Sequence, residues 1–180
     1  MTAYKLSAEQ FLAELRQGKR HFSGITVSGD FVWDAADREN LTVSDLDLSD
    51  STFTGRVDLG DLTVTGELNL SGATFMARVA LYRMTAVLLK ASDAKFHRGL
   101  GLVNSSMDYV NFARTRFAEK TNCFPAGLVI KHTSGKLLDL TDVWSPATII
   151  NLEECEFEMV QHPNAELGRR TVGPLGELRA

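Results

Sequence analysis

Histidine and cysteine, the side chains most often used as metal ligands or nucleophiles, are few in this sequence and widely spaced. The four histidines stand at His21, His97, His132 and His162, and neither a CxxC nor an HExxH motif is present. The two cysteines, Cys123 and Cys155, are too few for a disulfide framework. A Cys155/His162 nucleophile pair has no surrounding motif. We therefore expect no metal site and two buried thiols that pack as small apolar side chains.

Phosphate-binding and carboxylate motifs are equally weak. Ser134-Gly135-Lys136 ends like a phosphate-binding loop but lacks the earlier glycine that such a loop requires. Acid pairs such as Asp45 and Asp47 are frequent, yet a spacing of two residues places both on one face of a strand, where solvent is their default surrounding. The sequence therefore predicts a protein that is not an enzyme, with no catalytic residues and no cofactor.

The charged residues are unevenly distributed along the 180 residues, whose net charge is −4. Ten acids and two bases lie between residues 30 and 67, whereas eight bases and three acids lie between residues 76 and 120. If the fold keeps sequence order along an axis, the molecule is polarised. The acidic surface that we expect consists of Asp45, Asp47, Asp50, Asp58, Asp61 and Glu67.

A repeat of phenylalanine indicates the elements that must position these charges. Phe31, Phe53, Phe75, Phe96 and Phe117 are separated by 22, 22, 21 and 21 residues. Between them, pairs of apolar or small residues at positions i−2 and i recur every five or six residues. The spacing within a pair is the strand period, and the ladder does not follow the period of a helix. Four pairs fill one interval, so the pattern predicts a four-sided parallel β-solenoid with 21–22 residues per turn.

Each side of the predicted solenoid stacks one column of inward side chains. The first column is Phe53, Phe75, Phe96 and Phe117, and each ring is preceded at i−2 by a small residue that leaves it room, namely Ser51, Ala73, Ala94 or Thr115. The ladder predicts the other three columns as Leu59–Leu81–Leu102–Cys123, Val64–Ala86–Met107–Leu128 and Leu48–Leu70–Ala91–Phe112.

Three segments, Ser51-Thr52-Phe53-Thr54-Gly55, Ala73-Thr74-Phe75-Met76-Ala77 and Ala94-Lys95-Phe96-His97-Arg98, resemble the A-[DN]-[LF]-x-x unit of the pentapeptide-repeat family. The resemblance covers residues 22–128 and implies a quadrilateral β-helix with the central Leu or Phe pointing inward. This sequence rarely has Asp or Asn before the central residue, and it mixes five- and six-residue steps. The mixed steps predict bulged or looser corners. We expect an all-β fold: a right-handed parallel β-solenoid with a short N-terminal capping helix. The family is functionally mixed, so the resemblance implies a fold more than an activity.

The two ends of the sequence depart from the repeat. Residues 7–17 read as a helix with a Ser7/Gln10 capping box and Gly18 as its stop, and we expect it to cover the first turn. Residues 34–40 read as a polar loop. The expected organisation is a capping helix over residues 1–20, a solenoid over residues 21–159 and a C-terminal tail over residues 160–180. We expect a monomer whose tail covers the last turn, with a homodimer through the C-terminal turn as the alternative.

Four bases are expected to lie close together on the outer face of the phenylalanine side: Lys95, Arg98, Arg114 and Arg116. Stacked strands are about 4.8 Å apart, so these side chains would be near neighbours. This basic face is the candidate interaction surface, and a solvated face without a partner is the competing explanation. The leading hypothesis is a non-enzymatic interaction or scaffold module, a rigid solenoid that presents a charge-polarised surface to a protein partner.

Two other functions are retained as alternatives. Some pentapeptide-repeat proteins mimic B-form DNA and bind type II topoisomerases, so the resemblance implies DNA mimicry as one alternative for this chain. The basic region at 76–120 argues against it, because it interrupts the negative charge that a DNA mimic needs. Nucleic-acid binding through the 95–116 face is the second, and the sequence pI of about 5.6 disfavours it. The absence of a long apolar run, of a secretory leader and of a cysteine framework predicts a cytoplasmic protein without membrane association.

Overall fold

The computed structural model of the chain describes residues 4–33, 41–117, 127–145, 150–167 and 171–172. Within these residues the chain forms an all-β parallel solenoid of about six turns with one short helix at its N-terminus. The fold class predicted from the ladder is confirmed. The predicted loop at residues 34–40 and the ladder residue Cys123 lie outside the described residues.

The N-terminal segment forms the predicted helix, which covers the first turn of the solenoid. Strand β1 (Lys5–Ser7) leads into helix α1 (Ala8–Arg16), where the Ser7 hydroxyl accepts the Gln10 backbone N–H and the Gln10 side chain accepts the Ser7 N–H. The buried Phe11 ring lies between 4.5 and 5.9 Å from the rings of Phe22, Phe31 and Phe53. The helix therefore closes the first turn. It is too short to cross a membrane, and the described residues contain no other helix.

Each turn adds three or four strands in the same order. The first turn consists of β2 (Thr26–Ser28), β3 (Phe31–Val32), β4 (Leu41–Val43) and β5 (Leu46–Asp47). The second consists of β6 (Thr52–Phe53), β7 (Val57–Gly60) and β8 (Leu62–Asn69), and the third of β9 (Thr74–Phe75), β10 (Val79–Tyr82) and β11 (Thr85–Lys90). The fourth consists of β12 (Lys95–Phe96), β13 (Leu100–Val103) and β14 (Ser106–Asn111).

The last turns continue this order. The fifth consists of β15 (Arg116–Phe117), β16 (Leu128–Lys131) and β17 (Ser134–Asp139), and the sixth of β18 (Trp144–Ser145), β19 (Ile150–Glu153) and β20 (Glu156–Gln161). Strands β21 (Glu166–Leu167) and β22 (Thr171–Val172) begin a seventh turn by pairing with β18 and β19. Paired strands thus extend past residue 159, where the sequence analysis ended the solenoid.

The strands stack into three parallel sheets. The first sheet contains β1, β2, β6, β9, β12, β15, β18 and β21; the second contains β3, β7, β10, β13, β16, β19 and β22; and the third contains β4, β8, β11, β14, β17 and β20, with β5 beside β8. The third sheet holds two of the four predicted sides, because its longer strands continue around a bend. Both Val64 and Leu68 of β8 are buried, one before the bend and one after it.

The mixture of 21- and 22-residue turns is absorbed at the bend of the third sheet. Ala86 of β11 pairs with Val64, an offset of 22 residues, whereas Leu88 pairs with Glu67, an offset of 21. The extra residue of β8 forms a β-bulge, which is the local irregularity that the uneven steps predict. Elsewhere in these two turns the inward positions remain in register.

The first inward column is a stack of phenylalanine rings. Neighbouring centroids along the series Phe53, Phe75, Phe96 and Phe117 are 5.1, 5.0 and 5.4 Å apart, with interplanar angles of 9°, 2° and 16°. The small residues two positions earlier (Ser51, Ala73, Ala94 and Thr115) are buried as predicted. The hydroxyls of Ser51 and Thr115 donate to backbone carbonyls, so their burial leaves no polar group unpaired.

The predicted ladder is wrong after Phe117, within the fifth turn. The column that contains Leu102 continues to Ile130, so Cys123 is not its next member. Leu128, which the ladder assigns to the third side, instead pairs with Leu100 in the second sheet.

Extra residues between Phe117 and Leu128 cause this shift. Leu100 follows Phe96 by four positions, whereas the equivalent Leu128 follows Phe117 by eleven. A ladder with a constant step cannot represent extra residues between two of its members. Strand pairing resumes after the extra residues because the hydrogen-bonded edge of the previous turn fixes the register of the next strand.

Replacing Phe75 with alanine is expected to lower the free energy of unfolding by about 3–5 kcal/mol, the range for truncation of a buried phenylalanine. The ring stacks on both Phe53 and Phe96, and the stability of a solenoid depends on contacts between neighbouring turns. Thr74→Ala, at the outward neighbour on the same strand, is the control and should change the free energy by less than about 0.5 kcal/mol. Urea melts compare the variants, and equal losses would show that the two faces are misassigned.

Candidate interaction surface

One column of outward side chains runs along the first sheet. Register pairing stacks Thr52, Thr74, Lys95, Arg116, Trp144 and Glu166 on consecutive turns. Lys95, Arg116 and Trp144 each lie between two buried residues of their own segment, so their side chains point away from the core. Adjacent strands are about 4.8 Å apart, which makes these three residues direct neighbours. We refer to Lys95, Arg116 and Trp144 as the basic column.

The two cations of the basic column, Lys95 and Arg116, are exposed. Neither the Lys95 ammonium group nor the Arg116 guanidinium group forms a hydrogen bond or an ion pair with a residue that the structure describes. Their neighbours in the column are Thr74 on one side and Trp144 on the other. Like charges directly opposite each other on adjacent strands destabilise a sheet. The stacking of Lys95 on Arg116 therefore costs stability, and the fold does not explain it.

The other two predicted bases flank the basic column at opposite edges of the first sheet. Arg114 lies at the corner before β15, where its Nε and Nη2 donate to the two carboxylate oxygens of Asp93 at 2.8 and 2.7 Å. The hydrogen bond from Arg114 holds the pKa of Asp93 below its ordinary value. Arg98 is exposed at the bend after β12. The structure thus brings Lys95 and Arg116 together, while Arg114 is already paired.

A half-open groove follows the basic column on the Arg114 side. Its lining consists of Gly72, Asp93, Lys95, Arg114, Arg116, Asp142 and Trp144. The ion pair of Asp93 with Arg114, together with Asp142, forms one wall of the groove, and the basic column forms the other. Trp144 is only partly buried, so its ring offers an apolar surface beside two cations. This combination suits a ligand that carries both carboxylates and an apolar group.

Corner geometry explains why other charges are paired locally. Asp50, Asp93 and Arg114 adopt left-handed φ values of 54°, 61° and 57° at one corner, and Asp61 and Arg83 adopt 55° and 50° at another. Aspartate tolerates this conformation, whereas it costs most other residues about 1–2 kcal/mol. Each of the two arginines donates two hydrogen bonds to the aspartate one turn earlier, at 2.6 Å for both bonds of Arg83 to Asp61. The charges at these corners therefore serve the fold.

The residues of the predicted acidic surface are distributed over several columns. Asp45 Oδ1 accepts the Glu67 backbone N–H at 2.8 Å, beside the bulge of β8. Gly66 makes this approach possible, because a Cβ there would lie 2.3 Å from the same oxygen. Asp47 Oδ1 accepts the Ser49 N–H at 3.0 Å. The same hydrogen bond, from the backbone N–H two residues later, recurs at Asn69, Asn111 and Asp139, which lie one, three and four turns of the solenoid further on.

The remaining acids of this set have neighbours of opposite charge or lie at a corner. Asp58 pairs with Arg56 at 3.1 Å, and Glu67 lies 3.9 Å from Lys90. Asp61 is bound by Arg83, and Asp50 is a left-handed corner residue. Most of the acidic residues are therefore engaged in turns or ion pairs of the solenoid itself.

Cys155 has the hydrogen bonds of a structural residue. Its Sγ lies 3.4 Å from Glu153 O and 3.3 Å from Ile130 O. The equivalent positions in the two preceding turns are Thr133 and Ser105, whose hydroxyls donate to the carbonyl two residues earlier at 2.9 and 3.0 Å. Burial raises the pKa of the Cys155 thiol and keeps it protonated. A protonated thiol is a poor nucleophile, so packing explains this cysteine better than catalysis.

Gly135 also has a packing role. A Cβ at this position would lie 2.1 Å from Met107 O and 2.9 Å from the Phe157 ring, so only glycine fits between these two turns. The residue lies within strand β17, where the backbone is extended and paired, and not in a phosphate-binding loop. Among the residues that the structure describes, no group of three or more His, Cys, Asp or Glu side chains could hold a metal ion.

Trp144 is the member of the site that the sequence analysis does not include. The pair Val143/Ser145 occupies the place of the small/phenylalanine pair in the sixth turn, and both residues are fully buried. In the sequence, Trp144 could have been recognised as an outward residue by its position between Val143 and Ser145, which form an inward pair. The extra residues before this turn and the replacement of phenylalanine by Ser145 hide that pair from the repeat.

Comparison with known proteins found no matching family model, no similar curated protein and no matching solved structure. The register, exposure and charge of its own residues therefore define this surface.

Replacing Cys155 with serine is expected to change the free energy of unfolding by less than about 1 kcal/mol at neutral pH, because Ser105 fills the equivalent position two turns earlier. The pKa of the Cys155 thiol is higher in the folded state than in the unfolded state. The protonated thiol therefore contributes fully to the stability of the fold below the ordinary thiol pKa of about 8.5, and this contribution is lost as the pH rises through the raised pKa. Urea melts from neutral to alkaline pH measure the difference between the two proteins. A difference that does not change with pH would contradict the raised pKa.

Proposed function

We propose that this chain is a non-enzymatic interaction module that binds an acidic segment of a protein partner along the basic column. The observation that supports this function is the stack of Lys95 on Arg116, beside the partly buried Trp144, in which neither cation has an ion-pair partner among the described residues. Proteins retain arrangements that lower stability where function requires them. At the left-handed corners, by contrast, Arg83 and Arg114 are each paired with an acid one turn earlier.

An extended acidic peptide suits this site because the basic column is a line and not a closed pocket. The column runs across the strands, along the solenoid axis, with its members about 4.8 Å apart. Alternate side chains of an extended peptide are about 6.6 Å apart, and the long side chains of Lys95 and Arg116 accommodate this difference. Two carboxylates would bind these cations, and an apolar residue would pack on Trp144.

We further infer that the chain is a divergent pentapeptide-repeat protein. The phenylalanine column, with a small buried residue two positions before each ring, follows the unit of that family over four turns. Solenoids of this kind present long, rigid surfaces in which each turn contacts only its neighbours. A scaffold or interaction role is consistent with such a surface.

The two alternative functions have weaker support. DNA mimicry needs an unbroken negative surface, whereas Asp58 and Asp61 are paired with Arg56 and Arg83. Proteins that bind single-stranded nucleic acids use a positive groove with several stacking aromatic residues, whereas the basic column has two cations and one tryptophan. The chemistry of the site therefore favours an acidic protein segment.

Lys95→Glu is expected to weaken binding of an acidic peptide while keeping or raising the stability of the fold. The new carboxylate would face Arg116 on the next strand, which replaces a like-charge pair with an ion pair worth a few tenths of a kcal/mol. Affinity for a fluorescent peptide of alternating glutamate and aromatic residues should fall by about tenfold or more, measured by anisotropy at low salt.

Lys5→Glu is the matched control for this experiment. Lys5 lies on the same face of the first sheet, three threonines away from Lys95 along the column, and its substitution changes the net charge equally. The control should keep the wild-type affinity. Equal weakening by both variants would contradict a local site. Tighter binding of RNA or duplex DNA than of the peptide, or inhibition of a type II topoisomerase, would favour the alternative functions.

A further inference from the structure

The outer face of the third sheet carries an apolar column that the proposed function does not use. Register pairing stacks Leu88, Tyr109, Leu137 and Met159 on consecutive strands from β11 to β20. Each is followed in its strand by an inward position, so these side chains point outward. Tyr109 is 44% exposed and Met159 is 59% exposed, and Val87 beside Leu88 is 45% exposed. A continuous apolar row of this kind on a protein surface marks an interface. We call these four stacked residues the apolar column.

The charges around the apolar column differ from turn to turn. At and after the bend of the third sheet, the third turn carries Lys90, the fourth Asp108, the fifth Lys136 and Asp139, and the sixth Glu158. The formal charge beside the apolar column is therefore +1, −1, 0 and −1 in turns three to six. If two such faces packed together with parallel solenoid axes, like charges would lie opposite each other in three of the four turns. Antiparallel packing instead opposes the positive third turn to the negative sixth turn and the fourth turn to the neutral fifth.

We propose that two copies of this chain pack their third sheets together, with antiparallel solenoid axes and a two-fold axis between the fourth and fifth turns. Such an interface is self-complementary, since each contact occurs twice. Leu88 then opposes Met159 of the second copy, and Tyr109 opposes Leu137. The two apolar columns cover each other along their whole length.

The charged pair at the centre of this face fits the same two-fold axis. Lys136 Nζ lies 2.9 Å from Asp108 Oδ2 within one chain, and the ammonium group lies 5.9 Å from the centre of the Tyr109 ring. The two-fold axis places Asp108 of each copy opposite Lys136 of the other. Two ion pairs then meet as four alternating charges, an arrangement that favours this register over its neighbours.

Polar groups at the rim also match. Asn111 Oδ1 and Asp139 Oδ1 accept the backbone N–H groups of Ala113 and Thr141 at 2.8 and 2.9 Å. The amide N–H groups of Asn111 and the second carboxylate oxygen of Asp139 are not used in these turns. The two-fold axis brings the donor of one copy opposite the acceptor of the other.

This dimer differs from the C-terminal pairing considered from the sequence, because it uses the side of the solenoid and not its end. The basic column belongs to the first sheet, so the dimer leaves both copies of it accessible. The inference is therefore independent of the proposed function, and an acidic peptide should bind the dimer and a monomeric variant equally.

Disulfide cross-linking tests the antiparallel register. In a chain with Cys123→Ser and Cys155→Ser, the pair Leu88→Cys and Met159→Cys should give a covalent dimer on mild oxidation. Within one chain these positions are three strands apart, about 14 Å, which is too far for an internal disulfide. Leu88→Cys alone should remain uncross-linked. Cross-linking of this single variant would indicate parallel packing and would overturn the proposal.

Sedimentation of the unmodified protein gives the second test. We expect a mass twice the 19.8 kDa of the chain, and a monomer for Leu137→Glu. Asp108→Lys and Lys136→Asp should each weaken dimerisation by about tenfold, and the double variant should restore it. Trp144→Ala, on the other face, is the control that keeps the dimer. A wild-type monomer at every concentration, or a double variant no better than the single ones, would overturn the proposal.

Discussion

Residue-for-residue pairing of each turn with the next is the interaction on which the rest of this structure depends. Val79, for example, pairs with Val57 below it and Leu100 above it. Because paired strands are about 4.8 Å apart, every side chain is covered by its equivalents one turn away. Inside the solenoid this produces the phenylalanine stack and its small neighbours. It also permits the extra residues between Phe117 and Leu128, since pairing depends on the strands and not on the number of residues between them.

The same constraint acts on charge. A charged residue on the surface of a solenoid has the equivalent residues of two other turns beside it, so like charges repel and opposite charges pair. At the left-handed corners the chain uses this proximity, because Arg83 and Arg114 bind the aspartates one turn earlier. On the first sheet it does not, because Lys95 stacks directly on Arg116. The contrast between the two places separates charges that support the fold from charges available to a ligand.

The outer faces of the solenoid therefore have different properties although they share one repeat. The first sheet presents two cations and a tryptophan, whereas the third presents the apolar column with charges of alternating sign around it. Both features extend across turns, at right angles to the strands, so neither is a local motif of consecutive residues. We propose that one face binds an acidic partner and that the other joins two copies, which would display two binding surfaces on one rigid body.

The sequence by itself determined the solenoid, the turn length, the capping helix and the buried phenylalanine column, because these depend on local periodicity and on side-chain size. It also placed Lys95 and Arg116 together, since both lie one position before a phenylalanine of the repeat. The tertiary structure alone decided the register after these extra residues, which moved Leu128 to the second sheet and brought Trp144 beside Arg116. It also decided which charges are paired, as for Arg114 with Asp93. Those contacts depend on which residues are stacked across turns, and this register is fixed by hydrogen bonds between strands that are distant in sequence.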